Sequence, residues 1–426
     1  MVALLFIAFF VLIFLGMDIF FSMTLSSYVG ILAKTTRPVD PSIIPLRMVA
    51  GVDEYTLVAI PLFILAGELM NKGGITRRLV DFALAFVGHL KGGLSQVAVI
   101  VNMVMAGVSG AAVADASATG TILIPAMKKE GYEVEYAGAV IASAGLIGPV
   151  IPPSIPMVIY GVMAHQSIAK LFMGGLVPGL MLGLGFMFIC GVLAHRRGYP
   201  RRERLGWRLR WKAATSSLWA LAMPLVVVGG IRFGVVTVTE AAGVASVYAM
   251  LVGMLVYREL RFRDLVEVLY QAGLNTGIVM ILLSASGIFS WLLVESRVQD
   301  VVGGFIFSLT TNPLIVLLII NAVLLLIGIP LEPLPAMIIF LPALIPLSAQ
   351  IGVDPIQFGW ICVFNLMIGM LTPPVGMLLF VAAAIGKIPM ASLSRQILPF
   401  LALSLVVLGL VTYVPWVTTW LPGLMK

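Results

Sequence analysis

The sequence predicts an all-α integral membrane protein built as an inverted repeat, with two re-entrant helical hairpins and two broken helices. Two observations carry this. Hydrophobic residues make up 61% of the 426 positions and charged residues only 11%, with a mean hydropathy of +1.11. Soluble domains carry about 25% charged residues. The second observation is that part of the chain is written twice. Gly107 recurs as Gly328, Pro125 as Pro346, Gly131 as Gly352, Gly138 as Gly359, Gly148 as Gly369, Pro152-Pro153 as Pro373-Pro374 and Pro178 as Pro399, all at one offset. Chance would match roughly one such breaker in a window of this length. Paired Gly/Pro interruptions in the two halves of an apolar chain mark broken helices at the midplane of a secondary transporter.

Charge placement divides the chain. Between His195 and Lys212 lie Arg196, Arg197, Arg201, Arg202, Arg204, Arg208 and Arg210, opposed only by Glu203. A loop of this kind belongs on the cytoplasmic side. Lipid or nucleic-acid binding is the lesser reading of the same charges. The start, MVALLFIAFFVLIFL, lacks a basic leader and a small-x-small cleavage site, so it reads as a retained span.

The elements follow in order. Spans are expected at 2–17, 20–33 and 55–71, then an amphipathic interfacial arm at 73–93. Residues 95–131 form the first hairpin, with its tip at Gly107–Ser117. Its limbs read as about a dozen residues each, too short to cross a core of about 30 Å, and both are flanked by Lys. A helix over 135–165 is broken at Gly148-Pro149-Val150-Ile151-Pro152-Pro153, and a final span covers 170–194. Prolines there free carbonyls, which membrane depth tolerates only beside protein or water.

The second half repeats the series. Its spans are expected at 215–234, 240–257 and 264–294, its arm at 295–312 and its hairpin at 313–350, with the tip at Gly328–Pro333. A helix over 355–386 is broken at 369–375, and a last span covers 393–420. The expected units are therefore 1–94 and 215–312 as scaffold, 95–194 and 313–426 as hairpin, broken helix and final span, and 195–214 as linker. Counting crossings outward from the basic loop gives each half an odd number. The first hairpin then opens to the cytoplasm and the second to the periplasm.

An alkali cation needs several oxygens at close range without strong charge. The first half offers Ser109 and Gly110 at the tip, with Gly148, Ile151 and Pro153 in the break. The second offers Gly328 at the tip, with Gly369, Thr372 and Val375 in the break. Two tip carboxylates, Asp115 and Glu332, fit either capping and bracing or contact with ion or substrate. Ser117, Thr119 and Thr121 fit substrate contact or bonds back to their own helix. Asn102 and Asn321 suit bracing of the incoming limbs better than ligand contact, and Asn365 suits bracing of the second break. Asp18 and Glu68 read as surface residues. His89, His165 and His195 are scattered, no phosphate-binding loop is present, and neither Cys190 nor Cys362 has metal-ligand spacing. An enzyme and a metal site other than for sodium are not expected. A channel built on re-entrant loops is a rival reading, but it needs no matched broken helices.

Four segments carry a resemblance: IPLFILAGELM (60–70), VSGAAVADASATGTILIPAM (108–127), GLIGPVIPPSIPMVIYG (145–161) and NLMIGMLTPPVGMLLF (365–380). With two double-proline breaks, each after a hairpin, the chain resembles the large membrane subunit of tripartite ATP-independent periplasmic (TRAP) transporters. A stand-alone, ion-coupled dicarboxylate-type transporter of the same superfamily is the close alternative. The resemblance implies a sodium-coupled importer of small organic acids in the bacterial inner membrane, working as an elevator. Its substrates would be carboxylates such as C4-dicarboxylates or sialic acid, or sulfonates. Its expected partners are a small four-span membrane subunit, a periplasmic substrate-binding protein and the lipid bilayer, with no nucleic acid. Sodium ions would be the coupling ions, held between each hairpin tip and its broken helix.

Overall fold

A computed structural model describes residues 2–33 and 40–425. The first half runs α1 (Val2–Phe14), α2 (Ile19–Leu32), α3 (Ile43–Ala50), a 3₁₀ turn (Tyr55–Val58), α4 (Ala59–Lys72), α5 (Ile75–Val87), α6 (Gly93–Ser109), α7 (Ala112–Lys129), α8 (Val134–Gly145), α9 (Ile155–Met163) and α10 (Ile168–Arg196). After the basic segment come α11 (Trp207–Ser216), α12 (Leu218–Arg232), α13 (Val238–Leu251) with a π turn (Val252–Val256), α14 (Phe262–Glu295), α15 (Val298–Leu309), α16 (Pro313–Gly328), α17 (Pro333–Gln350), α18 (Pro355–Gly369), α19 (Met377–Gly386), α20 (Met390–Tyr413) and α21 (Trp416–Gly423). Among the described residues, six helices are long and apolar enough to cross a membrane, or up to eight if each bent pair is one span.

Local chemistry sets many of these boundaries. Asp354 caps α18 by accepting from the backbone N–H groups of Ile356 (2.8 Å) and Gln357 (3.1 Å), and Pro355 occupies the first helical position. Glu133 takes the matching place before α8. Thr237 and Glu240 form a capping box on α13. The matched glycines Gly131 and Gly352 both sit in turns with positive φ, +83° and +72°. The matched prolines divide into two kinds. Pro125, Pro178, Pro346 and Pro399 lie inside continuous helices. Pro152-Pro153 and Pro373-Pro374 interrupt theirs, and both Pro–Pro bonds are cis.

Several expected boundaries shift. The first hairpin's limbs have 17 and 18 residues, not about a dozen, because Gly107 and Ser117 lie within helices and only Gly110-Ala111 turn the chain. Limb length alone therefore does not separate a re-entrant hairpin from two crossings. The span expected at 393–420 ends at Tyr413, and Pro415 opens a separate short helix, α21. The expected linker 195–214 contains most of α11. Helix α3 lies in a stretch where no element was expected. Part of the segment following α2 falls outside the described residues.

The two halves interleave. Helix α19 of the second half packs on α7 and α8 of the first, and α9 of the first packs on α17 and α18 of the second. Glycine admits both crossings. A methyl group added at Gly138 on α8 would lie 3.8 Å from Ala382 Cβ on α19. One added at Gly359 on α18 would meet the Tyr160 ring of α9 at 2.5 Å. Tyr160 donates to the Pro355 carbonyl (2.7 Å), and Trp360 Nε1 donates to the Leu171 carbonyl (2.9 Å). Helix α20 lies along α8, α10 and α18. A second group forms around α4 and α13, with α14 against α2, α3 and α4. Contacts between the groups run through α6 against α4, α5 and α12, and through α17 against α14 and α15.

The hairpins are not built alike. Helix α6 lies against α7, whereas α16 barely touches α17 and packs along α18 instead. The second hairpin is thus opened by its own broken helix.

Candidate ion and substrate site

In the first half the hairpin tip lies on the helix break. Gly110 adopts φ +60°, and a methyl group there would fall 2.7 Å from the Pro153 carbonyl oxygen. Only glycine suits both the backbone and the space. Gly148 faces Asp115: a methyl group at Gly148 would sit 2.6 Å from Asp115 Oδ2. Residues 145–155 are all buried, and so are Ser109, Gly110 and Asp115. Among the described residues, no hydrogen bond reaches the carbonyl oxygens of Ser109, Gly110, Gly148, Ile151 or Pro153. The five residues nominated from sequence therefore share one feature, unpaired carbonyls, and tip and break meet directly.

Asp115 occupies the first turn of α7 but is not its cap, which is Ala111. Its Oδ1 accepts from Ser109 Oγ at 2.5 Å, while Oδ2 is buried without a donor. A buried carboxylate oxygen with no partner is costly unless a cation or water meets it. Together with the free carbonyls it makes an oxygen-rich, water-excluding setting that fits a hard monovalent cation.

The second half repeats the contact with different chemistry. Gly328 at the end of α16 and Gly369 at the end of α18 touch backbone to backbone: a methyl group on Gly328 would lie 3.3 Å from Gly369 Cα. The Gly369 carbonyl accepts from Thr372 N (3.0 Å) and the Thr372 carbonyl from Gly376 N (3.1 Å). The Gly328 and Val375 carbonyls accept no hydrogen bond among the described residues. Thr372 Oγ1 donates back to the Ile368 carbonyl at 2.8 Å, so its lone pairs remain available. Val375 is 43% exposed, so this break is open where the first is sealed. The position matching Asp115 is Ala336, also buried. A buried acid thus accompanies only the first site.

The remaining nominees divide into braces and free groups. Thr119 Oγ1 donates to the Asp115 carbonyl (2.7 Å) and accepts from Asn102 Nδ2 (3.2 Å), which ties the two limbs of the first hairpin. Asn321 Nδ2 reaches Thr412 Oγ1 (3.1 Å), and Asn321 Oδ1 accepts from Asn365 Nδ2 (2.6 Å). Asn321 therefore braces α16 to α18 and α20 rather than to its own outgoing limb. Thr121 bonds back to the Ala118 carbonyl. Ser117 is half-buried, and among the described residues no hydrogen bond is made by its side chain. Glu332 is exposed at the head of α17 and makes no capping bond. Asp18 is exposed, and Glu68 accepts from Asn275 at 3.3 Å.

A cleft escaped the sequence reading. A cavity of about 510 Å³ is lined by Glu54, Tyr55, Thr56, His165, Gln166 and Thr237, among others. It lies where the 3₁₀ turn, the end of α9, the start of α10 and the start of α13 converge. These segments are far apart in sequence and show no motif in common. Helix α10 runs from this cleft to the basic segment at its other end.

The sequence model of the "Tripartite ATP-independent periplasmic transporter, DctM component" matches residues 6–417. The chain belongs to this family. The sialic acid TRAP transporter large permease SiaM of Vibrio cholerae is 35% identical over 413 residues, covering 97% of this chain and 96% of the relative. The C4-dicarboxylate TRAP transporter large permease DctM of Pseudomonas aeruginosa is 39% identical over 371 residues, 87% of each chain. In fold, the TRAP permease chain is similar to the YdaH transporter of Alcanivorax borkumensis, with a TM-score of 0.63, 13% identity and 88% of each chain covered. It is likewise similar to MtrF of Neisseria gonorrhoeae, with a TM-score of 0.63, 12% identity, and 96% and 94% covered. It is a multi-pass TRAP large permease of the inner membrane.

Proposed function

We propose that this permease is the transport subunit of a sodium-coupled importer of small organic acids, working as an elevator. One observation carries the reading: in each half a hairpin tip is seated on the break of the following helix, with free carbonyl oxygens at the contact. Such tip-on-break contacts suit a cation held near the midplane. The tip of the first hairpin is buried against a break between two pieces of one helical run. That placement supports re-entrance better than limb length does, because a loop between two full crossings would reach water.

The first sodium ion would be held by the carbonyls of Ser109, Gly110, Gly148, Ile151 and Pro153, with Asp115 Oδ2 facing the same space. The second would be held by Gly328, Gly369, Thr372 and Val375. The bound ions would supply positive charge beside the tips, where an organic anion could be received. Ser117 on α7 and Glu332 at the head of α17 are polar groups whose side chains make no hydrogen bond among the described residues. Relatives of this chain include permeases named for sialic acid, C4-dicarboxylates, 2,3-diketo-L-gulonate and isethionate. Their shared chemistry is a small carboxylate or sulfonate.

Helices α6–α10 and α16–α20 would move as one unit against a scaffold of α1–α5 and α12–α15. Interleaving of the halves supports a rigid moving body. The scaffold would hold the small membrane subunit, and the cleft at the head of α10 would face the periplasmic binding protein. Reconstitution with both partners and sodium-gradient uptake of labelled carboxylates and sulfonates tests this reading. Uptake should require sodium and both partners. Flux without the binding protein would favour the stand-alone transporter, and unsaturable flux a channel.

A further inference from the structure

Helix α11 has a composition that transport does not explain. Its sequence is WRLRWKAATS. It meets α12, an apolar helix of 15 residues, at 51°. A helix carrying Trp and Arg at such an angle to an apolar helix suits the level of the lipid headgroups. Its buried side consists of Arg210, whose guanidinium lies 3.4 Å from His89 Nδ1, with Ala213 and Ala214 half-buried beside it. Its other side presents Trp207 and Trp211, 71% and 61% exposed, stacked one turn apart with ring centroids 6.2 Å apart. Arg208 joins these two indoles in lining a groove of about 380 Å³.

The neighbouring cations divide cleanly. Arg197 pairs with Glu133 at 2.7 Å, and Arg202 pairs with Glu130. Among the described residues, Arg196, Arg201, Arg204, Arg208 and Lys212 make no ion pair. One of these five unpaired cations, Arg208, thus supplies a guanidinium at the rim of a groove with aromatic walls.

We infer that the groove of Trp207, Arg208 and Trp211 is a binding site for an anionic phospholipid, its phosphate on Arg208 and its glycerol and upper acyl chain along the indoles. Charge and shape both favour lipid over a protein segment. Indoles settle at the boundary between headgroup and acyl chain, and juxtamembrane cations attract anionic lipid. Site and occupant then share the headgroup level, and Arg208 supplies the charge that tells an anionic lipid from a zwitterionic one. The inference is independent of the sodium sites, which lie on other helices.

The test uses the purified full chain in detergent, titrated with brominated phosphatidylglycerol or brominated phosphatidylcholine while tryptophan fluorescence is followed. The quenching assigned to this groove is the part lost in a Trp207→Phe/Trp211→Phe variant, which removes the contribution of the other five tryptophans. Half-quenching should need about fivefold less phosphatidylglycerol than phosphatidylcholine. Arg208→Gln should erase that preference and Arg208→Lys should keep most of it. A melting profile confirms that each variant is folded. Equal quenching by the two lipids would overturn the site and leave only general contact with the detergent-lipid phase. A phosphatidylglycerol preference that persists undiminished in the double Phe variant would place the lipid elsewhere. Loss of quenching only when the small membrane subunit is added would assign the groove to that protein instead.

Discussion

Ser109 Oγ donates to Asp115 Oδ1 at 2.5 Å, which leaves Asp115 Oδ2 buried, unpaired and turned toward Gly148. The bond fixes the carboxylate across the tip of the first hairpin. If a sodium ion occupies the space in front of Oδ2, Asp115→Asn should weaken it without removing the Ser109 contact. Loss of a buried charged oxygen costs on the order of 1–3 kcal/mol, about 5- to 150-fold in apparent sodium affinity. Sodium titration of uptake measures this. An unchanged titration curve would reduce Asp115 to a brace of the tip. Ser109→Ala should do less, since it keeps the carbonyl.

Thr372→Val keeps the shape of the second break and removes one oxygen. The same range applies, about 5- to 150-fold in apparent sodium affinity. Because Thr372 Oγ1 also donates to the Ile368 carbonyl, melting of the purified variant must be compared with wild type. A folded variant with normal sodium dependence would take Thr372 off the ligand set.

Gly110→Ala should destabilise the protein by about 2 kcal/mol or more. Left-handed backbone costs a non-glycine residue roughly 1–2 kcal/mol, and the added methyl group would meet the Pro153 carbonyl at 2.7 Å. Gly131→Ala is the comparison: φ is +83° there, but nothing lies within 4 Å. It should carry the backbone cost alone and leave uptake intact. Equal melting shifts for the two variants would mean that the tip-to-break approach is looser than described.

Elevator motion can be tested with two disulfides. A Cβ at Gly67 on α4 would lie 3.6 Å from Ser109 Cβ, and one at Gly138 on α8 would lie 3.8 Å from Ala382 Cβ on α19. Both separations suit a disulfide. Oxidised Gly67→Cys/Ser109→Cys should stop uptake, and reduction should restore it. Oxidised Gly138→Cys/Ala382→Cys joins two helices of the moving unit and should leave uptake unchanged. Full uptake with the first pair oxidised would argue for local gating.

Topology offers the simplest check. Cysteine labels at 200–210 should react from the cytoplasm and labels near residue 350 from the periplasm. The same side for both would exclude oppositely facing hairpins.

Much of this architecture is legible in the residues alone. The matched breaks at Gly148–Pro153 and Gly369–Pro374 are visible because proline and glycine act locally, whatever surrounds them. The carbonyl-bearing residues of the first site follow from the same local rule. Helix ends marked by strong caps, such as Asp354-Pro355, are readable for the same reason. Other features are not. Gly107 and Pro125 are breakers by type yet sit within α6 and α7, because neighbouring helices and the apolar setting hold the backbone bonds together.

Sequence by itself determined that the chain is a membrane protein, that it is duplicated, and where its helices break, because composition and backbone chemistry are properties of single residues and their near neighbours. Tertiary structure alone decided that the halves interleave through Gly138 and Gly359. It also decided that Asn102 braces its own hairpin while Asn321 braces α18, and that Asp115 leaves one oxygen bare beside Gly148. Each of these depends on which side chains meet across long stretches of chain. In a sequence where most residues are apolar, pairing between helices is set by the fit of small and large side chains, and no local pattern records that fit.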